Sequence, residues 1–375
     1  MRKKNLSEIK FAHILLLYLI SFLIHCILNI LLNEGPTVII DEGLYTNIAR
    51  SLTWDGEIAF RSQPVNYPYI LYPILLVPIY KLNHMLGGDI YRWVQIFNTL
   101  LITSSVIPAW LFALDFTKSK EKAFRTAILV AIMPDMIMGG YEMTESLLWP
   151  LALWLIFFSY RWYTKEKLSY GLLTAIFTAL MFFAKPGAIA FGAVLLIVRL
   201  IFALCRDKQN LLSAILSIFL LLFLVGGIYA LYIFRFDQQS TLLGLYEKQT
   251  SEWNPKDILV AIEATFLTIF LFIFACGGIF ALIPAVFMKE YDSENRKFIA
   301  ASYLGILAVI LNPLQNGFLH AARDRFIHDQ RVQLRENALC RLVAAQIMMI
   351  KVYGNKPRIA GLHHGFHHHI TDIIQ

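Results

Sequence analysis

Residues Phe11–Leu32 read FAHILLLYLISFLIHCILNILL, and after a short break residues Thr37–Arg50 read TVIIDEGLYTNIAR. The first stretch carries no Asp, Glu, Lys or Arg and has about the length a bilayer core requires. The second brings two adjacent carboxylates, Asp41 and Glu42, almost at once. Leu44, Ile48 and Leu52 then recur at helical spacing, with Thr46, Asn47 and Arg50 between them, the pattern of an amphipathic helix lying on the membrane. Two acids at its start have two readings. They favour the positive end of the helix dipole, or they remove a proton from an acceptor hydroxyl at the membrane boundary.

Working outward, the chain of 375 residues is 58% hydrophobic and 16% charged, with mean hydropathy +0.59. Soluble domains carry about 25% charged residues, so an all-α polytopic membrane protein is expected. Arg2, Lys3, Lys4 and Lys10 before the first span predict a cytoplasmic N-terminus, and with no small-residue cleavage site the span reads as an uncleaved anchor. Further spans are expected at Trp93–Leu114, Ala123–Met138, Leu147–Tyr160, Leu168–Phe183, Gly187–Leu204, Leu211–Phe234, Ala264–Phe287 and Phe298–Leu311, about nine in all. The basic clusters Lys118/Lys120/Lys122/Arg125, Arg161/Lys165/Lys167, Arg206/Lys208 and Lys289/Arg296/Lys297 share the N-terminal side only if Tyr69–Met85 does not cross. That stretch holds Pro73 and Pro78 and is read as an interfacial or re-entrant helix. The first outer loop is then 33–92, and 139–146, the Lys185 region and 235–257 lie outside with it.

The net charge of +7 is accounted for by these short basic loops, so nucleic acid is not an expected partner. Cys26, Cys205, Cys276 and Cys340 lie far apart and form neither a disulfide framework nor a zinc motif. No internal repeat is evident.

Beyond Asp41 and Glu42, the residues able to carry chemistry sit at expected outer boundaries. Glu142 and Glu145 lie in Gly139-Gly140-Tyr141-Glu142-Met143-Thr144-Glu145-Ser146, where they cap a helix or share a substrate. Lys185 precedes Pro186-Gly187; the tight corner either lets it snorkel to headgroups or fixes it to neutralise a phosphate. Arg61 and the aromatics Tyr67, Tyr69 and Tyr72 lie in the first outer loop, and Tyr246 and Trp253 in a later one. Aromatic side chains belong at interfaces, and they also stack on sugars. Glu263 reads as interfacial and His25 as a packing residue.

IIDEGLYTNIARSL resembles the first-loop acidic motif of the GT-C superfamily of membrane glycosyltransferases, which includes the protein O-mannosyltransferases and the aminoarabinose transferases of lipid A. Other features follow in the family's order over roughly residues 10–235: Asn66-Tyr67-Pro68-Tyr69, a span, a basic loop, a second acid in GGYEMTESLLWP, and a helical pair turning at FFAKPG. The resemblance implies a GT-C-like helical bundle that uses a polyprenyl-phosphate-linked sugar. Asp41 matches the catalytic first-loop acid with Glu42 beside it, and Glu145 matches the second-loop acid. Lys185 matches the residue facing the donor phosphate, with Arg61 a second candidate there. Tyr45, Tyr67 and Glu142 are the implied substrate contacts. Relatives often carry a Lys before the proline where this chain has Asn66-Tyr67-Pro68, so no phosphate contact is assigned at that point.

The implied activity is transfer of a hexosyl or pentosyl unit to an acceptor hydroxyl of a protein, lipid or glycan, with inversion, on the outer face of the plasma or cytoplasmic membrane. The donor is already activated through its phosphate, so no Gly-rich nucleotide loop is needed. No cofactor is required; a divalent metal ion held by Asp41 and Glu145 is compatible with the scheme. Residues 1–311 form the expected membrane domain. Residues 312–375 are a basic, His-rich tail with seven of the ten histidines and no span-length apolar run, expected to reflect a truncated or frame-altered end. Two other classes stay open, a transporter or flippase and a non-catalytic relative that keeps only the scaffold.

Overall fold

A computed structural model of the protein describes residues 9–33, 35, 40–206, 210–236, 298–299 and 301–302, with the side chains of Ile40, Asp41, Asp135 and Arg206 outside that set. The expected span Ala264–Phe287, most of Phe298–Leu311, Tyr246, Trp253, Glu263 and the tail 312–375 lie outside the described residues.

Within them the fold is helical. Helix α1 is Phe11–Leu32, as expected. The first loop holds α2 (Ile40–Trp54), a hairpin of β1 (Ala59–Phe60) and β2 (Gln63–Pro64), and α3 (Leu71–Leu86). The bundle continues with α4 (Ile90–Thr103), α5 (Val106–Thr117), α6 (Lys120–Ala131), α7 (Glu145–Lys165), α8 (Leu168–Ala184), α9 (Ile189–Arg206) and α10 (Leu211–Phe236). Among the described residues four segments are long and apolar enough to cross a membrane: Phe11–Leu32, Ile90–Thr117, Pro186–Cys205 and Leu211–Phe236. These make the chain a multi-pass membrane protein. Helix α3, with Pro78 inside it, is not among them.

Two expected spans take a different local form. Trp93–Leu114 is broken at Ser104–Ser105 between α4 and α5, because Pro108 has no N–H to offer the Ser104 carbonyl and its ring crowds that group. The Ser104 carbonyl instead accepts the Ile107 N–H at 3.0 Å, and the Ser104 hydroxyl donates to the Leu101 carbonyl at 2.5 Å. Ala123–Met138 is α-helical only to Ala131; Pro134 pushes Met133 into an extended conformation, and Pro134–Gly140 continues as a 3-10 turn. Among the described residues the hairpin is the one stretch of strand, its turn made by Arg61 and Ser62 at φ 51° and 62°, as a tight primed turn demands.

Helix α1 is organised inside out. Its buried residues are Ile14, Ser21, His25 and Asn29, while Leu16, Leu23, Ile27 and Leu31 are exposed. In lipid an apolar face has nothing to gain by packing inward, so polar groups form the seam between helices. Ser21 Oγ donates to the Ala131 carbonyl at 2.9 Å, where α6 ends, and Asn29 Nδ2 donates to Thr99 Oγ1 of α4 at 2.9 Å. His25 is buried and bonds to the Ser21 carbonyl at 2.8 Å through Nδ1, as a packing residue should. The seam supplies partners to backbone that helix geometry leaves unsatisfied in a low-dielectric medium.

The same seam receives Gly139. A Cβ there would meet the Thr99 backbone at 2.9 Å, a contact that no side-chain motion relieves. Gly139→Ala is expected to destabilise the protein by about 1–3 kcal/mol, read as a lowered melting temperature in detergent. An unchanged melt would show that the 3-10 turn does not press on α4 as described.

Helix α7 sets the distance between the two ends of the bundle. At its C-terminal end Arg161 Nε pairs with Asp115 Oδ2 of α5 at 2.5 Å, and Lys165 Nζ lies 3.6 Å from the same oxygen. Phe298 packs nearby, its ring 5.3 Å from Tyr160. The other end begins at Glu145, and a 21-residue helix places it about 31 Å away.

Candidate active site

At the Glu145 end four elements converge: the first turn of α2, the loop before α7, the start of α7, and the corner after α8. Helix α2 buries Glu42, Tyr45, Ile48 and Ala49, which share one face at three- and four-residue spacing. Glu42 is 1% exposed, and its Oε1 accepts the backbone N–H of Glu142 at 2.9 Å. One turn on, the Thr46 hydroxyl donates to the Glu42 carbonyl at 2.6 Å and also meets Glu142 Oε2.

That hydroxyl has one proton and two oxygens facing it. Its donation to Glu142 favours the carboxylate form, but burial outweighs it. Burial, followed by the charges of Glu42 and Asp89, raises the Glu142 carboxyl from the ordinary 4.5 to about 7, against the opposing Thr46 bond. Burial and then the Glu142 charge also push the Tyr80 phenol on α3 upward.

A carboxyl that holds its proton more tightly when folded stabilises the protein fully below its unfolded value. The contribution is lost as pH rises through the folded value. The melting temperature is therefore expected to fall between pH 4.5 and about 7. Glu142→Gln, which mimics the protonated acid, should flatten that slope. An equal slope in the variant would assign the pH dependence to other groups.

The loop that carries Glu142 is anchored by three side chains of α4. Gln95 Nε2 and the Tyr91 hydroxyl donate to the Gly140 carbonyl at 3.1 and 3.0 Å, and Asn98 Nδ2 donates to the Tyr141 carbonyl at 2.8 Å. Asn98 also bonds the Tyr72 hydroxyl of α3 at 2.8 Å. Arg92 reaches the end of α1 through the Asn33 carbonyl at 2.6 Å.

Three residues after Glu142, Glu145 Oε1 pairs with Lys185 Nζ at 2.6 Å. Lys185 closes α8, and Pro186–Ala188 forms a 3-10 turn behind it, so the corner expected at Pro-Gly is present. The Lys185 and Glu145 side chains are 39% and 27% exposed. A lysine held by a carboxylate and still part-exposed can receive an anion. By chain reach, Glu142 and Glu145 have Cα atoms no more than about 11 Å apart.

The structure thus brings Glu42, Glu142, Glu145 and Lys185 to one end of the bundle, and gives the other candidates different surroundings. Tyr45 and Tyr67 are 3% and 2% exposed. They belong to a buried aromatic chain in which Tyr45 meets Tyr72 edge-on at 5.5 Å, Tyr67 meets Tyr69 at 5.5 Å, and Tyr69 meets Phe182 at 5.5 Å. Tyr67 N–H also donates to the Tyr232 hydroxyl of α10 at 2.9 Å, and that hydroxyl donates to Asn66 Oδ1 at 3.2 Å. Both tyrosines pack within this buried aromatic chain. Arg61 sits exposed in the hairpin turn with its guanidinium 5.2 Å over Phe60.

Asp41 occupies the first turn of α2; its side chain lies outside the described residues, and so does the metal pair of Asp41 with Glu145. Among the described residues no group of three or more His, Cys, Asp or Glu side chains is arranged to hold a metal ion. Thr46, Gln95 and Asn98 did not stand out in the sequence; the signal for Thr46 was its place one turn after Glu42.

No curated protein matches the chain closely enough to count as a relative. Residues 72–244, which contain Glu142, Glu145 and Lys185 but begin after α2, match the family model described as dolichyl-phosphate-mannose-protein mannosyltransferase. Over that stretch the chain is similar to a family of the GT-C superfamily of membrane glycosyltransferases.

Proposed function

We propose that this chain transfers a sugar from a polyprenyl-phosphate carrier, dolichyl or undecaprenyl, to an acceptor hydroxyl at the outer face of a plasma or cytoplasmic membrane, within a nine-span topology whose N-terminus is cytoplasmic. The observation that carries the proposal is the part-exposed Lys185–Glu145 pair, inside the stretch that matches the mannosyltransferase family and one loop from the buried Glu42 of α2. The acceptor oxygen attacks the anomeric carbon as the bond from that carbon to the phosphate oxygen breaks. The acceptor proton passes to the Asp41 carboxylate, and polyprenyl phosphate leaves with both bonding electrons. A single displacement inverts the anomeric carbon.

In this scheme Lys185 compensates the charge that develops on the departing phosphate, an interaction that strengthens toward the transition state. Glu145 holds the ammonium in place. The test is transfer of label from polyprenyl-phosphate mannose, glucose and related donors in membranes that express the chain. Label in an acceptor supports the proposal; no transfer from any donor, with the protein folded and inserted, counts against it.

A further inference from the structure

We infer that Glu42 is a positioning residue whose carboxylate clamps the loop before α7 onto the first turn of α2, rather than the group that takes the acceptor's proton. The inference rests on the glycosyltransferase proposal above and changes the role that the resemblance implied for Glu42.

A general base must come within hydrogen-bond reach of the proton it removes. Glu42 is 1% exposed, and its Oε1 already accepts the Glu142 amide at 2.9 Å. Its main chain is tied to the same loop, because Thr46 bridges the Glu42 carbonyl and the Glu142 carboxyl. Three residues further on, Glu145 holds Lys185. Glu42 therefore links the turn that carries Asp41 to the helix start that carries the phosphate-facing pair, two parts supplied by chain segments 100 residues apart. Displacing one part by about 1 Å from the other can cost a hundredfold in rate without weakening binding.

The two roles require different atoms. A clamp needs an acceptor oxygen at the right reach, which Gln supplies and the shorter Asp does not. A base needs a carboxylate, which Asp supplies and Gln does not. We therefore expect Glu42→Gln to keep transfer within about threefold of the parent and Glu42→Asp to fall about ten- to a hundredfold, in kcat rather than in donor KM. Backbone amide exchange over residues 139–148 reads the clamp independently of activity. It should accelerate in Glu42→Asp and Glu42→Ala and stay parental in Glu42→Gln.

The reverse order, with Asp active and Gln inactive, would overturn the inference and make Glu42 the base. Unchanged exchange in both Glu42→Ala and Glu42→Asp would overturn it as well. If the parent itself transfers no sugar, the glycosyltransferase proposal fails, and the exchange comparison still decides whether the clamp exists. If Glu42→Ala does not fold, the Gln and Asp variants decide the question between them.

Discussion

Replacing Asp41 with Asn is expected to lower sugar transfer by about 10²–10⁴-fold, the range that a positioned general base contributes, with little change in donor KM. Asn keeps the size and shape of the side chain, so the first turn of α2 should survive. What it loses is the ability to take a proton. The neighbouring position is committed elsewhere: Glu42 is buried and bonded to the Glu142 amide, and adjacent residues stand about 100° apart around a helix. On the proposed mechanism Asp41, not Glu42, is then the acid that takes the acceptor's proton. Transfer assays in membranes, with expression and melting temperature matched to the parent, measure the effect. Equal transfer by parent and variant would remove Asp41 from the reaction.

How much of this was legible beforehand depends on whether the signal was local. Helix α1 was, because an uncharged run bounded by basic residues and by Asn33 has only one reading in lipid. The corner at Lys185 was also legible, because Pro186-Gly187 can do little else after an apolar helix. The break at Ser104–Ser105 was in principle readable from Pro108, but the apolar run around it masked the signal. The buried face of α2 was misread in part. Leu44, Ile48 and Leu52 look like the apolar stripe, whereas Tyr45, Ile48 and Ala49 are the residues fully inside, and Glu42 shares their side. Nothing local announces this, because the partner that makes a buried Glu42 tolerable is an amide in another loop. The same holds for Tyr45 and Tyr67. Tyrosines near a membrane surface have a ready interfacial reading, and only the arrangement of Tyr72, Tyr69 and Phe182 around them makes them core.

Lys185 and Glu145 were each legible as candidates, but their pairing was not, and it allows stability and catalysis to be separated. The two side chains are partly exposed, and an ion pair open to solvent contributes only about 0–1 kcal/mol to stability. Lys185→Met should therefore leave the melting temperature nearly unchanged. Transfer should nevertheless fall by about 10²–10³-fold, the loss seen when one preorganised donor is removed from a developing negative charge. Glu145→Gln should cost less, because the ammonium remains and only its aim is disturbed. Lys185→Arg should retain part of the activity, since the charge persists on a differently shaped head. The discriminating measurement is transfer rate set against melting temperature for all three variants. A Lys185→Met protein that transfers at the parental rate would sink the phosphate assignment. One that melts far below the parent would show that the pair holds α7 to the corner after α8, and that its charge serves packing before chemistry.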